Sequence, residues 1–306
     1  MATRLMDEIP ENRIAAKDAI LIAGPTASGK TALAVELARR HDGLVINADS
    51  MQVYDILHVL TARPSKAELA AAPHVLFGHV SPLRAYSTGE WMRDVLHVLD
   101  TELDGRKPVF VGGTGLYFKA LLGGLSDMPH VPDEVREAFR SQLMAAGPEA
   151  MHALLARRDP ETARSLHPQD GQRILRALEV MEASGQPIGF WQARRRAAII
   201  DPASARRIIL QPEREVLRHR IAGRFHAMVE QGAVQEVERL LSLSPDPSLP
   251  AMKAIGVPEI ASVLRGEQEM ADAVAAAITA TRQYAKRQMT WFRNQMDGDW
   301  ERIPAS

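Results

Sequence analysis

The stretch DAILIAGPTASGKTALAVELARR at 18–40 decides how this chain folds. Its first six residues are a short apolar run leading straight into glycine, the pattern of a buried parallel strand. From Thr31 to Arg40 leucines and alanines recur on a helical period. Between the two stand Gly24, Pro25, Thr26, Ala27, Ser28, Gly29, Lys30 and Thr31, which satisfy G-x-x-x-x-G-K-[ST] in the strand-to-helix setting that gives the motif its meaning. The glycines let the backbone curl until successive N–H groups face one anion, and the helix start adds its partial positive charge. Lys30 is placed for a terminal phosphate, and the Thr31 hydroxyl for Mg²⁺. Phosphate binding follows from this block alone. ATPases, GTPases, small-molecule kinases and diphosphate-using transferases remain open.

Outward from the loop, strand and helix signals alternate. Apolar runs at 44–47 (LVIN), 74–80 and 108–111 (PVFV) read as further strands. Ser87 and Glu90 form a capping-box pair that opens a helix to about 103. Such alternation implies an α/β fold, a kinase-like parallel sheet with helices on both faces. Past 128, Pro129, Pro132, Gly147, Pro148, Pro160, Pro168 and Pro187 punctuate a stretch of helical periodicity with almost no β-branched runs. Residues 129–200 are therefore expected to be an all-helical insertion, with 1–128 and 201–306 forming the catalytic core. RRIIL at 206–210 reads as a strand returning to the sheet, followed by helices at 213–230, 233–241 and 271–294.

The bulk composition sets limits. The 306 residues carry no cysteine, which excludes disulfides and thiolate metal sites. No apolar run is long enough to span a bilayer. The first 19 residues mix both charges and lack the apolar segment of a signal peptide, so a loose N-terminal tail, no membrane partner and a cytoplasmic location are expected. The net charge of −1 argues against a chain coated in nucleic acid, but the charges are uneven. Arg194, Arg195, Arg196, Arg206, Arg207, Arg214, Arg218, Arg220 and Arg224 face only Asp201, Glu213 and Glu215 in their stretch, and Lys286, Arg287 and Arg293 cluster further on. Solvated helix faces or a local RNA-binding face account for them equally well.

Several groups belong beside the loop. Asp49 and Ser50 follow the second strand, whose carboxyl end lies on the same side of the sheet as the loop. A carboxylate there serves either Mg²⁺ or a proton transfer near the phosphates, or merely caps a helix. Gly112, Gly113 and Thr114 end another strand on the same edge. Spacing alone assigns Arg136 to an exposed surface. Lys286, Thr290 and Arg293 share one face of a helix whose Trp291 and Phe292 are suited either to stacked bases or to the core.

Seven blocks then resemble the bacterial tRNA dimethylallyltransferases, also called tRNA isopentenyltransferases: GPTASGKTALA at 24–34, INADSMQVY at 46–54, TARP at 61–64, AAPH at 71–74, VGGTGLYFKALL at 111–122, HPQDGQRILRALEV at 167–180 and ATRQYAKRQMTWFR at 280–293. The resemblance implies transfer of a dimethylallyl group from its diphosphate to N6 of the adenosine immediately 3′ of the anticodon, with Mg²⁺ as cofactor and the helical insertion gripping the anticodon stem-loop. It implies that Asp49 is the general base, and that Thr114 and Arg136 stabilise the leaving diphosphate beside Lys30. Asp49, Ser50, Met51 and Gln52, then Gln172, Arg173, Ile174, Leu175 and Arg176, and Lys286, Arg287, Gln288, Met289, Thr290, Trp291, Phe292 and Arg293 match the tRNA-contacting segments. Thr114, Arg136 and Lys253 join them, the last in a block that matches only partly. The enzyme is expected to act as a monomer. Two positions depart from the pattern: Leu60 stands where the family commonly has Gly, and Val257 where it usually has Tyr. Neither touches the phosphate loop, Asp49, Thr114 or Arg136.

Three other readings compete. A small-molecule kinase or an adenylate isopentenyltransferase shares the core but has no need of the insertion and the KRQMTWFR helix. A non-catalytic, nucleotide-switched RNA-binding protein leaves Asp49 without a role.

Overall fold

A computed structural model describes residues 15–126, 128–194, 197–296 and 298–305. Most of the expected N-terminal tail, and Arg195 and Arg196 of the basic run, lie outside the described residues. The chain forms two compact units, a sheet unit (1–122 with 198–306) and a helical unit (123–197).

In the sheet unit the order is β1 (Ile20–Ala23), α1 (Lys30–His41), β2 (Gly43–Asn47), α2 (Lys66–Ala71), β3 (His74–Val75), α3 (Thr88–Thr101), β4 (Lys107–Gly112) and α4 (Gly115–Leu121). After the helical unit come β5 (Arg206–Pro212), α9 (Arg214–Glu230), α10 (Ala233–Ser242), α11 (Val257–Leu264), α12 (Met270–Gln295) and β6 (Glu301–Ala305). Six parallel strands lie in the order β3-β2-β4-β1-β5-β6. Every residue of β1 and β2 is buried, as a sheet covered on both faces requires. Ser87 and Glu90 do form a capping box at the start of α3.

Three details depart from the sequence reading. The strand expected at 74–80 shrinks to His74–Val75, and Val80 instead bridges Tyr54. β6 was not expected, because ERIPA is polar and holds a proline; it becomes a strand only by pairing with β5 at the sheet edge, where proline is tolerated. The helical unit runs 123–197 rather than 129–200; its end moves back because the N–H groups of Ile199 and Ile200 both donate to Leu121 O (2.9 and 3.0 Å) and stitch that segment into the sheet unit.

Two apolar clusters of the sheet unit flank the loop that follows β1. One packs α1 against Ile22, Val45, Val109, Val111 and Ile208. The other unites Leu217, Ile221 and Phe225 of α9 with Val237 and Leu240 of α10, Ile260 of α11 and Ala277 of α12. Val257 is fully buried in that second cluster. The helical unit comprises α5 (Asp133–Arg158), α6 (Pro160–Ser165), α7 (Gly171–Ser184) and α8 (Ile188–Gln192), around Phe139, Leu155, Ile174 and Leu178. α5 is broken at Gly147 and restarts at Pro148.

Candidate active site at the carboxyl edge of the sheet

The loop of 24–29 leaves β1 between β4 and β5 and winds into α1. Ala27 and Gly29 take positive φ (61° and 85°), the alternation that turns amides toward one concavity. Ser28 N–H donates to Pro25 O (3.3 Å), while the amides of Ala27 and Gly29 have no acceptor among the described residues. The Ser28 hydroxyl is buried and has no hydrogen-bond partner among the described residues. These are the marks of a site shaped for an anion.

Lys30 is buried, and its Nζ donates to Pro25 O (3.3 Å). Burial pulls its ammonium down to about 8, opposed by the charge of Asp49 and assisted by that of Arg224. Asp49 leaves β2 and is nearly buried. Its N–H donates to Asn47 Oδ1 (2.9 Å), and its Oδ1 accepts from Met51 N–H (3.0 Å). Oδ2 takes no hydrogen bond among the described residues and lies over Gly113, 3.2 Å from where a Cβ would stand. One carboxylate oxygen is thus anchored and the other is free to accept. Ser50 N–H donates to the Thr114 hydroxyl (2.9 Å), which donates to Ser50 Oγ (3.2 Å), so Thr114 holds the turn that carries Asp49.

A cavity of about 310 Å³ opens beside these groups. Lys30, Asp49 and Arg224 give it charge, and Leu60, Ile221, Phe225 and Met228 give it an apolar wall. Ser50, Met51, Gln52, Lys253 and Arg287 also line it, so these predicted residues do converge with the loop. Leu60 packs directly over Gly256, whose added Cβ would come within 2.5 Å of it, so this departure from the family pattern supplies part of the apolar wall.

Arg224, expected only as one cation of the 194–224 run, stands beside the phosphate loop. Its Nη1 reaches the Thr26 hydroxyl (3.5 Å), and burial lowers its pKa against the upward pull of Asp49. A signal existed: Arg224 stands three residues after Ile221 and four before Met228, inside the apolar stripe of α9. Glu236 of α10 was missed. It is buried, and its carboxylate accepts from the N–H groups of His58, Val59 and Leu60 (2.9, 2.6 and 3.1 Å), fixing the loop that brings Leu60 and Thr61 to the cavity.

Other expectations need correction. The basic run of 194–224 is not one face: Arg206 pairs with Glu301, Arg207 with Asp299 and Arg218 with Glu215, while Arg194 lies over Phe190 in the helical unit. Within the segments expected to touch RNA, Ile174 and Phe292 are core side chains, for they complete the apolar faces of α7 and α12. Gln52 is buried, with its amide donating to Thr61 O and Ala62 O (2.9 and 3.0 Å). Gln288 is buried too. Lys253, Lys286, Arg287, Thr290 and Arg293 are exposed, while Met289 and Trp291 are half-buried.

In the helical unit Gln172 and Arg173 are exposed on α7, and Leu175 is half-buried. Arg136 of α5 lies exposed 3.8 Å from Asp133. Buried Glu179 draws Arg136, Arg140 and Arg176 together; burial raises its carboxyl pKa, opposed by those guanidiniums. Arg136, expected at the leaving diphosphate, and Arg176, expected to touch tRNA, are thus neighbours although 40 residues separate them in the chain.

Comparison with known proteins gives this geometry a setting. Residues 52–295 match the family model described as IPP transferase, and residues 17–78 match that described as isopentenyl transferase. The chain is 60% identical over 294 residues to the tRNA dimethylallyltransferase of Rhizobium johnstonii, covering 96% of this chain and 99% of that one. It is 59% identical over 288 residues to that of Rhizobium meliloti, covering 94% and 95%. Among solved structures, the tRNA isopentenylpyrophosphate transferase of Bacillus halodurans superposes with a TM-score of 0.66 at 31% identity, covering 95% of this chain and 90% of that one. A eukaryotic dimethylallyltransferase acting on tRNA superposes with a TM-score of 0.80 at 27% identity, covering 95% and 74%.

Proposed function

The chain belongs to the tRNA dimethylallyltransferase family, a family of prenyltransferases, and we propose that it moves a dimethylallyl group from dimethylallyl diphosphate to N6 of the adenosine immediately 3′ of the anticodon. The observation that carries this reading is the cavity itself, where a phosphate loop meets an apolar wall of Leu60, Ile221, Phe225 and Met228. A diphosphate bearing a short hydrocarbon chain has that division of polarity. A kinase acceptor pocket would set polar groups where this wall stands.

In the proposed reaction the allylic C–O bond breaks as the bond from C1 to N6 forms, and the electron pair leaves with the diphosphate. The free Oδ2 of Asp49 takes the N6 proton, which helps because an exocyclic amine is a weak nucleophile. The loop amides, Lys30 and Arg224 stabilise the charge that grows on the departing oxygens. Thr114 orients the Asp49 turn, and Arg136 is assigned to the same leaving group.

Magnesium fits this donor set only together with the substrate. Among the described residues no cluster of three His, Asp or Glu could hold an ion unaided. The Thr31 hydroxyl with diphosphate oxygens and water is the kind of shell Mg²⁺ accepts. When bound, the ion neutralises charge on the leaving diphosphate.

For the tRNA, the exposed Arg287 and Lys253 at the cavity and Gln172 and Arg173 on α7 are the proposed contacts. A base that enters must leave its stack, and Arg287, lying over the Tyr284 ring at 5.8 Å, offers a flat cationic neighbour. No described helix is long and apolar enough to cross a membrane, and the enzyme is proposed to act as a cytoplasmic monomer.

The test is to incubate the protein with Mg²⁺, labelled dimethylallyl diphosphate and unmodified tRNA. Label on the adenosine 3′ of the anticodon is the expected result. Label in free AMP alone, or phosphate transfer from ATP to a small acceptor, would overturn the reading.

A further inference from the structure

Gln288 lies in a segment expected to touch RNA, yet its side chain is 6% exposed. Both ends of its amide are engaged inside the protein. Oε1 accepts from the N–H of Thr26 in the phosphate loop (3.0 Å), and Nε2 donates to the carbonyl of Gly113 (2.9 Å). The amide links two loops that come from different strands, β1 and β4.

The surrounding backbone is shaped for this approach. A Cβ on Gly113 would stand 2.1 Å from Gln288 Nε2. Three residues along α12, a Cβ on Gly115 would stand 2.1 Å from the Trp291 ring. Bare backbone at both positions lets the helix settle onto the turn that holds Thr114, and through Thr114 onto Ser50 and Asp49. An uninterrupted line of hydrogen bonds and close contacts therefore runs from Thr26 through Gln288, Gly113 and Thr114 to the residue beside the general base.

We infer that Gln288 is a positioning residue that locks the phosphate loop to the Gly113–Thr114 turn, keeping the donor diphosphate and the Asp49 carboxylate in register, and that it makes no contact with RNA. This rests on the reading of the loop as the donor site. Glutamine suits the task because its one side chain presents an acceptor to an N–H and a donor to a carbonyl. Methionine has similar length and offers neither.

The experiment compares wild type, Gln288→Met, Gly113→Ala and the double variant in three measurements. These are binding of inorganic pyrophosphate by calorimetry, steady-state transfer from dimethylallyl diphosphate to tRNA, and tRNA affinity across a salt series. Gln288→Met should weaken pyrophosphate binding about tenfold, because it strands the Thr26 N–H and frees the loop. It should lower kcat as well, with tRNA affinity within about twofold of wild type and an unchanged salt slope. Gly113→Ala pushes on the same amide from the other side, so the double variant should be little worse than the more impaired single variant.

Lower tRNA affinity with unaltered pyrophosphate binding would make Gln288 an RNA contact and overturn the inference. So would additive losses in the double variant, or no change in any measurement. Should Gln288→Met lose its far-UV circular dichroism, Gly113→Ala alone reads the same link through the ratio of pyrophosphate to tRNA affinity. Absence of transfer by wild type would overturn the functional reading instead, and the pyrophosphate comparison would still report on the lock.

Discussion

The phosphate loop's surroundings and the arginines of the helical unit hold charge differently. In the sheet unit Lys30 at the start of α1, Asp49 after β2 and Glu236 of α10 are drawn out of water, and Arg224 of α9 is half-buried. In the helical unit Arg136, Arg140 and Arg173 stay on the surface and pair locally, with Asp133, Glu137 and Asp170 respectively, each three residues apart. Exposed pairs of that kind are worth little and exchange readily for another anion, whereas buried charges are held by their surroundings. A rigid buried constellation suits bond breaking. A wet cationic surface suits a long polyanion whose many contacts are individually weak.

The sharpest way to break this contrast is Asp49→Asn. Turnover should fall by roughly 10² or more, the usual scale for a general base, with pyrophosphate affinity near wild type. Unchanged turnover in a single-turnover assay would remove Asp49 from the chemistry. Next is Arg224→Leu, which should raise the KM for dimethylallyl diphosphate on the order of tenfold by deleting a half-buried charge-assisted contact. If tRNA affinity falls instead, Arg224 belongs with the surface cations.

The third effect depends on pH. Lys30 is charged below about 8, so pyrophosphate affinity should be full under that value and fall as pH rises through it. For the ligand-free protein the sign reverses. Its folded value lies below the ordinary 10.5, so the unfolded chain binds the extra proton between about 8 and 10.5, and stability should rise across that window. Calorimetric titrations at pH 7 and 9 check the first statement, and thermal melts over the same range the second. A flat affinity profile would show that Lys30 does not reach the phosphate. Smallest should be Arg173→Ala with Arg176→Ala. We expect tRNA binding a few-fold weaker, a salt slope lower by about one to two, and unchanged kcat at saturating tRNA. A large loss of kcat would show that the helical surface takes part in the chemistry.

Much of the sheet unit was readable in advance because its signals are local. DAILIA, LVIN and PVFV are apolar for their whole length, and a strand buried on both faces requires that. β6 was not readable, since ERIPA has no strand signal until β5 offers it a partner. At the site, the phosphate loop and Asp49 could be placed from the strand ends that carry them. Arg224 and Glu236 were hidden among similar residues on charged helices, where spacing separates buried from exposed only weakly.

The opening stretch at 18–40 by itself determined the phosphate loop, because the loop's chemistry belongs to consecutive backbone amides and one lysine. What that loop holds and how it is kept in place were decided only when the chain folded. The apolar wall comes from α9 and the loop around Leu60, Arg224 reaches Thr26 across 198 residues, and Gln288 reaches it across 262. A hydrogen bond or a shared cavity between residues so distant leaves no periodic trace in a sequence; it exists only where packing brings the two ends together.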